Sequence, residues 1–153
     1  MKLNEDIVRF FKKEGFVIVS SLDEHGGIHC AAKGIVEIDI EGKVFIIDLY
    51  LNRTFRNLKT NHTISITAVN EKKFQGYTLQ GRAKLVYHKD ITDYIRVEWE
   101  KKIIQRISKR VISGVQAGTK SSEHFEAGMP SQPKYLIEMD VDKVIDLAHP
   151  VIE

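Results

Sequence analysis

Hydrophobic and polar residues alternate along most of the region between residues 16 and 87, and short turn-forming segments separate the runs. The runs predict five strands: Phe16–Leu22, Ile28–Ile40, Lys43–Tyr50, Thr63–Asn70 and Phe74–Tyr87. A period of two places successive side chains on opposite faces of a sheet. The glycine-containing segments Asp23–Gly27 and Glu41–Gly42 are typical of hairpin turns. The short connections therefore predict an antiparallel meander and argue against alternating β-α-β units.

Three other segments have helical periodicity. Residues Asn4–Glu14 carry an Asn cap, acidic residues in the first turn and a following glycine, which predicts a short amphipathic helix. A one-turn helix is predicted to start at Asn52. From Asp90 to about Val115 the apolar residues form one broad stripe, which predicts a long helix. The residues of this stripe are Ile91, Tyr94, Ile95, Ile103, Ile104, Ile107 and Val111.

The rest of the chain predicts a long loop, Gly114–Gln132, and then the last strands. Lys134–Met139 alternates as a strand, and Val144–Leu147 is a candidate for another. All three prolines lie at or beyond Pro130, so none of them interrupts the first five strands. Closure of a sheet removes its exposed edges. The pattern therefore predicts one mainly β domain over residues 1–153, built as a small closed or split antiparallel barrel.

The strand Lys43–Tyr50 is apolar on both faces. One face carries Phe45 and Ile47, and the other carries Val44 and Ile46. A barrel wall needs only its inner face covered. The outer face is therefore expected to meet a ligand, a helix or a second subunit, and from this we predict a dimer.

Composition narrows the classes of function. The chain has 153 residues, 42% of them apolar and 29% charged, which fits one folded domain. Its formal charge of +2 is too small to favour nucleic acid as a partner. No stretch approaches the roughly 18 apolar residues of a membrane span, and the acidic start does not resemble a secretion signal. We expect a cytoplasmic protein without a membrane partner.

Most common catalytic and metal motifs are missing from the sequence. One cysteine, Cys30, excludes an internal disulfide and a cysteine-rich zinc site. The six histidines have no helical zinc spacing, so no metal site is predicted. No glycine-rich fingerprint joins a strand to a helix, which leaves a dinucleotide fold and a P-loop unsupported.

Three basic residues remain as candidates for binding. Lys33 interrupts an apolar strand, where it either snorkels to solvent or serves a ligand. Arg53 and Arg56 lie three residues apart in the first turn of the predicted short helix. That turn is either a solvated basic surface or a phosphate clamp, because helix amino termini and guanidinium groups both favour anions.

Further motifs accompany these residues. They are the turn with Gly26 and Gly27, Gly34 after the strand lysine, Asn57-Leu58 after the basic turn, and Gly81 preceded by Gln80. Over roughly residues 14–87 this arrangement resembles the pyridoxamine 5'-phosphate oxidase-like family of FMN-binding split barrels. The resemblance implies an FMN-binding split β-barrel of about six to seven strands. It also implies a homodimer with FMN at the subunit interface.

The family resemblance assigns cofactor-binding roles to particular residues. Arg53 matches the arginine that binds the FMN phosphate, whereas Thr54 stands where the family often has a lysine, so Arg56 would share that task. Lys33 matches a lysine near the flavin ring or the substrate. Asp48 stands where the family usually has a cofactor-bonding threonine. A carboxylate there is compatible with a phosphate only if it is paired or points away.

The same resemblance implies FMN-dependent oxidation or reduction of a small molecule, with Tyr50 packed beside the cofactor. Pyridoxamine 5'-phosphate oxidases themselves carry a carboxyl-terminal Arg-His element, but this chain has no arginine after Arg110. We therefore expect another substrate. Two alternatives are a non-catalytic module that binds FMN without turnover, and a split barrel that binds haem or another flavin-like cofactor. His124 or His149 would be the haem ligand.

The predicted loop Gly114–Gln132 lies outside the resemblance. Its glycines lower the cost of backbone motion, but Phe125 and Met129 are apolar residues that a solvated loop gains nothing by carrying. Either the loop closes as a lid, with Phe125 and His124 reaching the cofactor or substrate, or its apolar residues pin it to the surface.

Overall fold

The computed structural model describes residues 1–49, 51–117 and 132–148. The elements in chain order are α1 (Glu5–Glu14), β1 (Phe16–Leu22), β2 (Ile28–Ile38), β3 (Lys43–Ile47), α2 (Arg53–Thr60), β4 (Thr63–Asn70), β5 (Gln75–Tyr87), a 3₁₀ turn (His88–Asp90), α3 (Asp93–Ala117) and β6 (Tyr135–Asp146). The strands form a closed antiparallel barrel in the order β1-β2-β3-β6-β5-β4, which β1 closes by pairing with β4. The predicted mainly β barrel is confirmed.

The two shorter helices cover opposite ends of β1. Helix α1 is capped by the side chain of Asn4, which accepts from the amide of Asp6 at 2.7 Å, and it ends at Gly15 with φ 63°. Its apolar face contributes Phe11 to the barrel core. Helix α2 lies near the other end of β1 and contributes Leu58. With eight residues, α2 is longer than the single turn predicted from the sequence.

Helix α3 covers the outer face of β3. Ile95, Trp99 and Ile103 of the helix and Ile91 just before it form a second apolar cluster with Val36, Ile47 and Leu136 of the sheet. The sequence predicted that the outer face of this strand meets a ligand, a helix or a second subunit. In the described structure a helix covers it. That strand therefore no longer supports the predicted dimer.

The buried stripe of α3 differs from the predicted one. Tyr94 and Ile104 were assigned to it, but their exposures are 61% and 63%. Trp99, which was left out, is 1% exposed. The predicted stripe was too broad for a helix that meets a sheet along one narrow line of contact. Ile107 does pack against the cluster, whereas the side chain of Val111 lies outside the described ones.

Strand β6 is one continuous strand, although the sequence predicted two separate pieces. It pairs with β3 along one edge and with β5 along the other. A register shift opposite Gln80 and Gly81 leaves Asp142 as an extra residue, which is a β-bulge. A Cβ at Gly81 would collide with the carbonyl of Asp140, so glycine is required at this crossing. The bulge interrupts the alternation of hydrophobic and polar residues, and this is why the sequence predicts two separate strands.

Other predicted boundaries also move. Strand β3 ends at Ile47 instead of Tyr50, and residue 50 lies outside the described part. Helix α3 continues to Ala117, so the predicted loop cannot begin at Gly114. Most of that loop, including His124, Phe125 and Met129, lies outside the described residues, as does His149.

Candidate functional site

Asp48 lies directly after β3 and points into the end of the barrel, where its side chain has no exposed surface. Lys33 of β2 approaches it from the neighbouring strand, with its Nζ 2.7 Å from Oδ1. The hydroxyl of Tyr135, at the start of β6, donates to Oδ2. Each carboxylate oxygen therefore has a donor, and the charge of Asp48 is neutralised by a lysine that is itself mostly buried.

Tyr135 is held in its neutral form by this environment. Burial raises the pKa of its hydroxyl, and the hydrogen bond to Asp48 and the negative charge of that carboxylate raise it further. At physiological pH the phenol therefore keeps the proton that it donates to Asp48. Its ring contacts Phe55 of α2 edge-on, with the centroids 5.0 Å apart.

Helix α2 is anchored to this end of the barrel by its polar residues. Thr54 and Asn57 are buried, and the Asn57 side-chain amide donates to the Ser21 hydroxyl of β1 at 3.1 Å. A buried amide that finds a partner avoids a large desolvation penalty. The buried face of α2 thus fixes which side chains its other face presents to solvent.

That solvent face begins with two arginines. Arg53 and Arg56 are both exposed, and the first turn of α2 contains no acidic residue. The amino-terminal end of a helix carries partial positive charge and unsatisfied backbone N–H groups. The arginines and the helix terminus together make this a positively charged surface.

His29 of β2 is half-buried and lies within the electrostatic field of this positively charged surface. Burial lowers the pKa of its imidazole, and the positive charges of Arg53 and Lys33 lower it further. The ring is therefore neutral at physiological pH, with a lone pair that a metal or a proton donor can use. The sequence offered no reason to single out His29.

A cleft of about 360 Å³ lies on the outer face of the barrel near this end. Polar residues line it, among them Ser20, Ser65 and Gln80, together with the charged residues Arg82 and Asp142. Ile28 stands at its rim with 76% of its surface exposed. A cleft of this kind can accept the flat part of a ligand or a side chain of another subunit.

The described residues also limit other kinds of site. They contain no group of three or more His, Cys, Asp or Glu residues arranged to hold a metal ion. Among the helices in residues 1–49, 51–117 and 132–148, none has both the length and the apolar character that crossing a membrane requires.

Comparison with known proteins identifies the family. A family model described as pyridoxamine 5'-phosphate oxidase matches residues 3–148. The chain belongs to this family. Membership confirms the resemblance seen in residues 14–87 and extends it to α3 and β6. A comparison with curated protein sequences finds no match.

Solved structures of the pyridoxamine 5'-phosphate oxidase family and its relatives share the fold. A pyridoxamine 5'-phosphate oxidase-related, FMN binding protein from Nostoc punctiforme has a TM-score of 0.66 at 11% identity, over 94% of this chain and 83% of that one. HupZ of Group A Streptococcus has a TM-score of 0.62 at 14% identity, over 95% of this chain and 94% of that one. HutZ, the heme storage protein of Vibrio cholerae, has a TM-score of 0.55 at 15% identity, over 95% of this chain and 94% of that one. At such low sequence identities, the similarity to these structures shows a shared fold.

Within this family member, the predicted site residues fall into two groups. Lys33 and Asp48 are paired with each other inside the barrel end, and Thr54 lies on the buried face of α2. Arg53 and Arg56 face solvent at the helix terminus. Tyr50 lies outside the described residues. Tyr135 was not among the predicted residues, although a carboxylate at the end of a buried strand requires such a donor.

Proposed function

We propose that this protein binds FMN and uses it as an oxidoreductase acting on a small molecule. The observation that carries the proposal is the pair of exposed guanidinium groups, Arg53 and Arg56, on the acid-free first turn of α2. The FMN binding relative from Nostoc punctiforme supports the same cofactor.

The donor chemistry of the helix terminus fits a phosphate. Guanidinium groups bind phosphate oxygens through paired N–H donors, and the helix terminus adds backbone donors and a favourable dipole. The carboxylate at Asp48 would oppose an anion if it faced the terminus. Instead it is buried and neutralised by Lys33, so the departure from the family's threonine does not place a free negative charge beside the phosphate.

The neighbouring surface suits a flat ring. The outer face of β2 exposes Cys30 and Ala32, two small residues on the strand that also carries Lys33. FMN, when bound, exchanges a hydride with substrates. In this scheme the residues of the chain bind and orient: Arg53 and Arg56 hold the phosphate, and the Lys33–Asp48 pair keeps the barrel rim beneath the ring in one conformation.

We also propose that the protein is a homodimer whose contact lies on the outer face of β1 and β2. Phe16, Ile18 and Ile28 are exposed on this face by 50%, 44% and 76%. Adjacent exposed apolar residues of this kind favour contact with another protein surface. The cleft beside Ile28 would then be completed by the second subunit.

The phosphate assignment is tested with FMN and riboflavin, which differ in the phosphate. Arg53→Ala should weaken FMN about 10- to 100-fold, since a hydrogen bond to a charged group is worth about 1.5–3 kcal/mol. Arg56→Ala should weaken FMN less, and neither change should affect riboflavin. Lys72→Ala, in the exposed turn between β4 and β5 at the opposite end of the barrel, is the control for lost positive charge. Equal losses for riboflavin and FMN would contradict the phosphate site.

Turnover separates an enzyme from a binding module. Bound FMN that is reduced by NADH or NADPH and reoxidised by a second substrate supports the oxidoreductase. If the flavin binds tightly but fails to cycle with any tested donor and acceptor, the non-catalytic alternative is favoured.

Haem is the second candidate ligand. The Vibrio cholerae relative is described as a heme storage protein, and the neutral imidazole of His29 beside Arg53 supplies an iron ligand and a cation for a propionate. Addition of hemin in place of FMN tests this candidate. A Soret band that shifts in His29→Ala would support His29 as the ligand. A Soret band that is the same in His29→Ala would leave His124 and His149 as the candidate haem ligands.

A further inference from the structure

The cleft on the outer face of the barrel has a charged side that the proposed phosphate site at α2 does not use. Arg82 of β5 and Asp142 of β6 line this side, and Ile28 stands at the opposite rim. We propose that the cleft binds a free α-amino acid with an apolar side chain, whose carboxylate pairs with Arg82 and whose ammonium group pairs with Asp142.

A β-bulge determines where Asp142 lies. The pairing of β5 with β6 changes register between Gln80 and Gly81, which leaves Asp142 as an extra residue without a partner opposite it. Bulges re-aim side chains and are frequent beside active sites. A Cβ at Gly81 would collide with the carbonyl of Asp140, so the bulge depends on this glycine. The Gln80-Gly81 motif of the sequence therefore has a structural purpose, which is to bring a carboxylate to the cleft.

The two charged residues of the cleft have no ionic partner in the described part of the chain. On the same strand, Glu138 pairs with Lys84 at 2.9 Å and Asp140 pairs with Lys43 at 3.1 Å. Neither Asp142 nor Arg82 forms such a pair with a described residue, and they do not pair with each other. A ligand that carries both charges can bridge them without displacing an existing ion pair, and it gains two charge-assisted hydrogen bonds.

The combination of charges selects a zwitterion. A simple anion would be attracted by Arg82 but repelled by Asp142, and a simple cation would meet the reverse arrangement. Specificity is a difference between affinities, so a repulsive group excludes the wrong ligand as effectively as an attractive group selects the right one. A free α-amino acid matches both residues, because its two charged groups are attached to the same carbon atom.

The rest of the cleft fits a small ligand with an apolar side chain. Leu22 and Ile28 supply apolar surface, and the hydroxyls of Ser20 and Ser65 lie on the strands between them and β5. Such hydroxyls can donate to the second oxygen of a bound carboxylate. A volume of about 360 Å³ is at the small end of ligand pockets, which favours one amino acid over a peptide.

The proposed subunit contact leaves the charged side of the cleft accessible. That contact lies on β1 and β2, whereas Arg82 and Asp142 belong to β5 and β6, on the other side of β4. The second subunit would therefore border the apolar rim at Ile28 and not the two charged residues.

Leucine is the probe for this cleft. Two partial ligands accompany it: 4-methylpentanoate, which lacks the ammonium group, and 3-methylbutylamine, which lacks the carboxylate. Titration of the intact chain, followed by backbone amide NMR, should shift the signals of Ser65, Arg82 and Asp142. Leucine should bind about 10-fold more tightly than either partial ligand, the usual effect of one hydrogen bond to a charged group.

Two variants assign each charged group of the ligand to its residue. Asp142→Asn should raise the dissociation constant for leucine about 10-fold but should not weaken 4-methylpentanoate, which has no ammonium group to lose a partner. Arg82→Gln should raise the constant for leucine by a similar factor but should not weaken 3-methylbutylamine, which has no carboxylate.

Asp140→Asn and Lys143→Gln are the matched controls. Each removes one charge from β6 close to Asp142, at a residue that does not line the cleft. Each should change the dissociation constant for leucine less than about two-fold, because exposed charges outside the cleft are screened by solvent.

Three results would overturn the proposal: leucine that binds no more tightly than the partial ligands, unchanged affinity in Asp142→Asn or Arg82→Gln, or an equal loss in Asp140→Asn. Asp142→Asn should leave the affinity for FMN unchanged, and Arg53→Ala should leave leucine binding unchanged. Failure of the amino acid site is therefore distinguishable from failure of the FMN site at α2.

Discussion

Asp48 shows how one residue determines the polar structure of the barrel end. Its carboxylate is fully buried, and Lys33 and Tyr135 satisfy both of its oxygens. Removing one member of a buried ion pair leaves the other charge without compensation. Replacing both members with apolar residues avoids that penalty, so the two kinds of change should have different effects.

We expect Asp48→Leu to lower the free energy of unfolding by about 3–5 kcal/mol, because it leaves the buried Lys33 ammonium without its partner. The double variant Lys33→Met/Asp48→Leu should recover most of that loss. Urea unfolding followed by circular dichroism measures both. If the double variant is as unstable as the single one, the barrel end depends on shape and not on charge pairing.

Glu37 shows a different use of charge, since it joins three elements. Its carboxylate accepts from Tyr94 of α3 at 2.8 Å and from the Ile38 amide at 3.0 Å, and it pairs with Lys12 of α1 at 3.1 Å. Burial works to raise the pKa of Glu37, but these three partners outweigh it and hold the pKa below the ordinary value of 4.5.

The lowered pKa of Glu37 predicts a pH-dependent contribution to stability. A carboxyl group whose folded pKa is depressed stabilises the fold above its unfolded pKa, and that contribution is lost as the pH falls through the folded value. Glu37→Gln should therefore be less stable than the parent at pH 7, and the difference should disappear below the folded pKa. Glu41→Gln, in the exposed turn before β3, is the control. A difference that stays constant down to the lowest pH would contradict this.

At the scale of elements, α3 is held by one narrow face. Ile103 is 5% exposed in the cluster with Trp99, and the adjacent Ile104 is 63% exposed. The two residues have the same side chain and lie in the same helix, so they form a matched pair for measuring the packing of α3 on the sheet.

Ile103→Ala should lower the free energy of unfolding by about 2–5 kcal/mol, because it removes buried methyl groups and leaves a cavity. Ile104→Ala should change it by less than about 0.5 kcal/mol. Thermal or urea unfolding gives both values. Similar losses for the two variants would mean that the outer face of α3 is also covered in solution, as it would be in an assembly larger than the proposed dimer.

The local sequence pattern predicted several elements correctly, but it failed where residues that are distant in the sequence meet. The bounds of β1 and β4 agree with prediction, because alternation and turn residues both lie within the segment. Tyr135 lies 87 positions from Asp48, and no spacing rule connects them. The bulge at Asp142 likewise depends on the crossing at Gly81. The basic turn of α2 was visible in the sequence, but the burial of Thr54 beside it was not.

For the whole molecule, the exposed face of β1 and β2 is the surface that the proposed dimer would use. We expect the protein to sediment as a dimer at micromolar concentration and Ile28→Glu to sediment as a monomer, because a charge would be buried at the contact. Val69→Glu, at the similarly exposed residue near the far end of β4, should remain dimeric. A parent protein that sediments only as the 17.5 kDa species would contradict the dimer and the shared cleft.

The position of β6 between β3 and β5 has a consequence for synthesis on the ribosome. Until β6 emerges, the nascent chain can pair only β3-β2-β1-β4-β5, an open sheet with the backbone of β3 and β5 unpaired at its two edges. Unpaired strand edges and an uncovered apolar interior are the features that promote association between incomplete chains. The ring cannot close before residues 135–146 have been synthesised, so both edges stay open to association with other incomplete chains until β6 pairs with them.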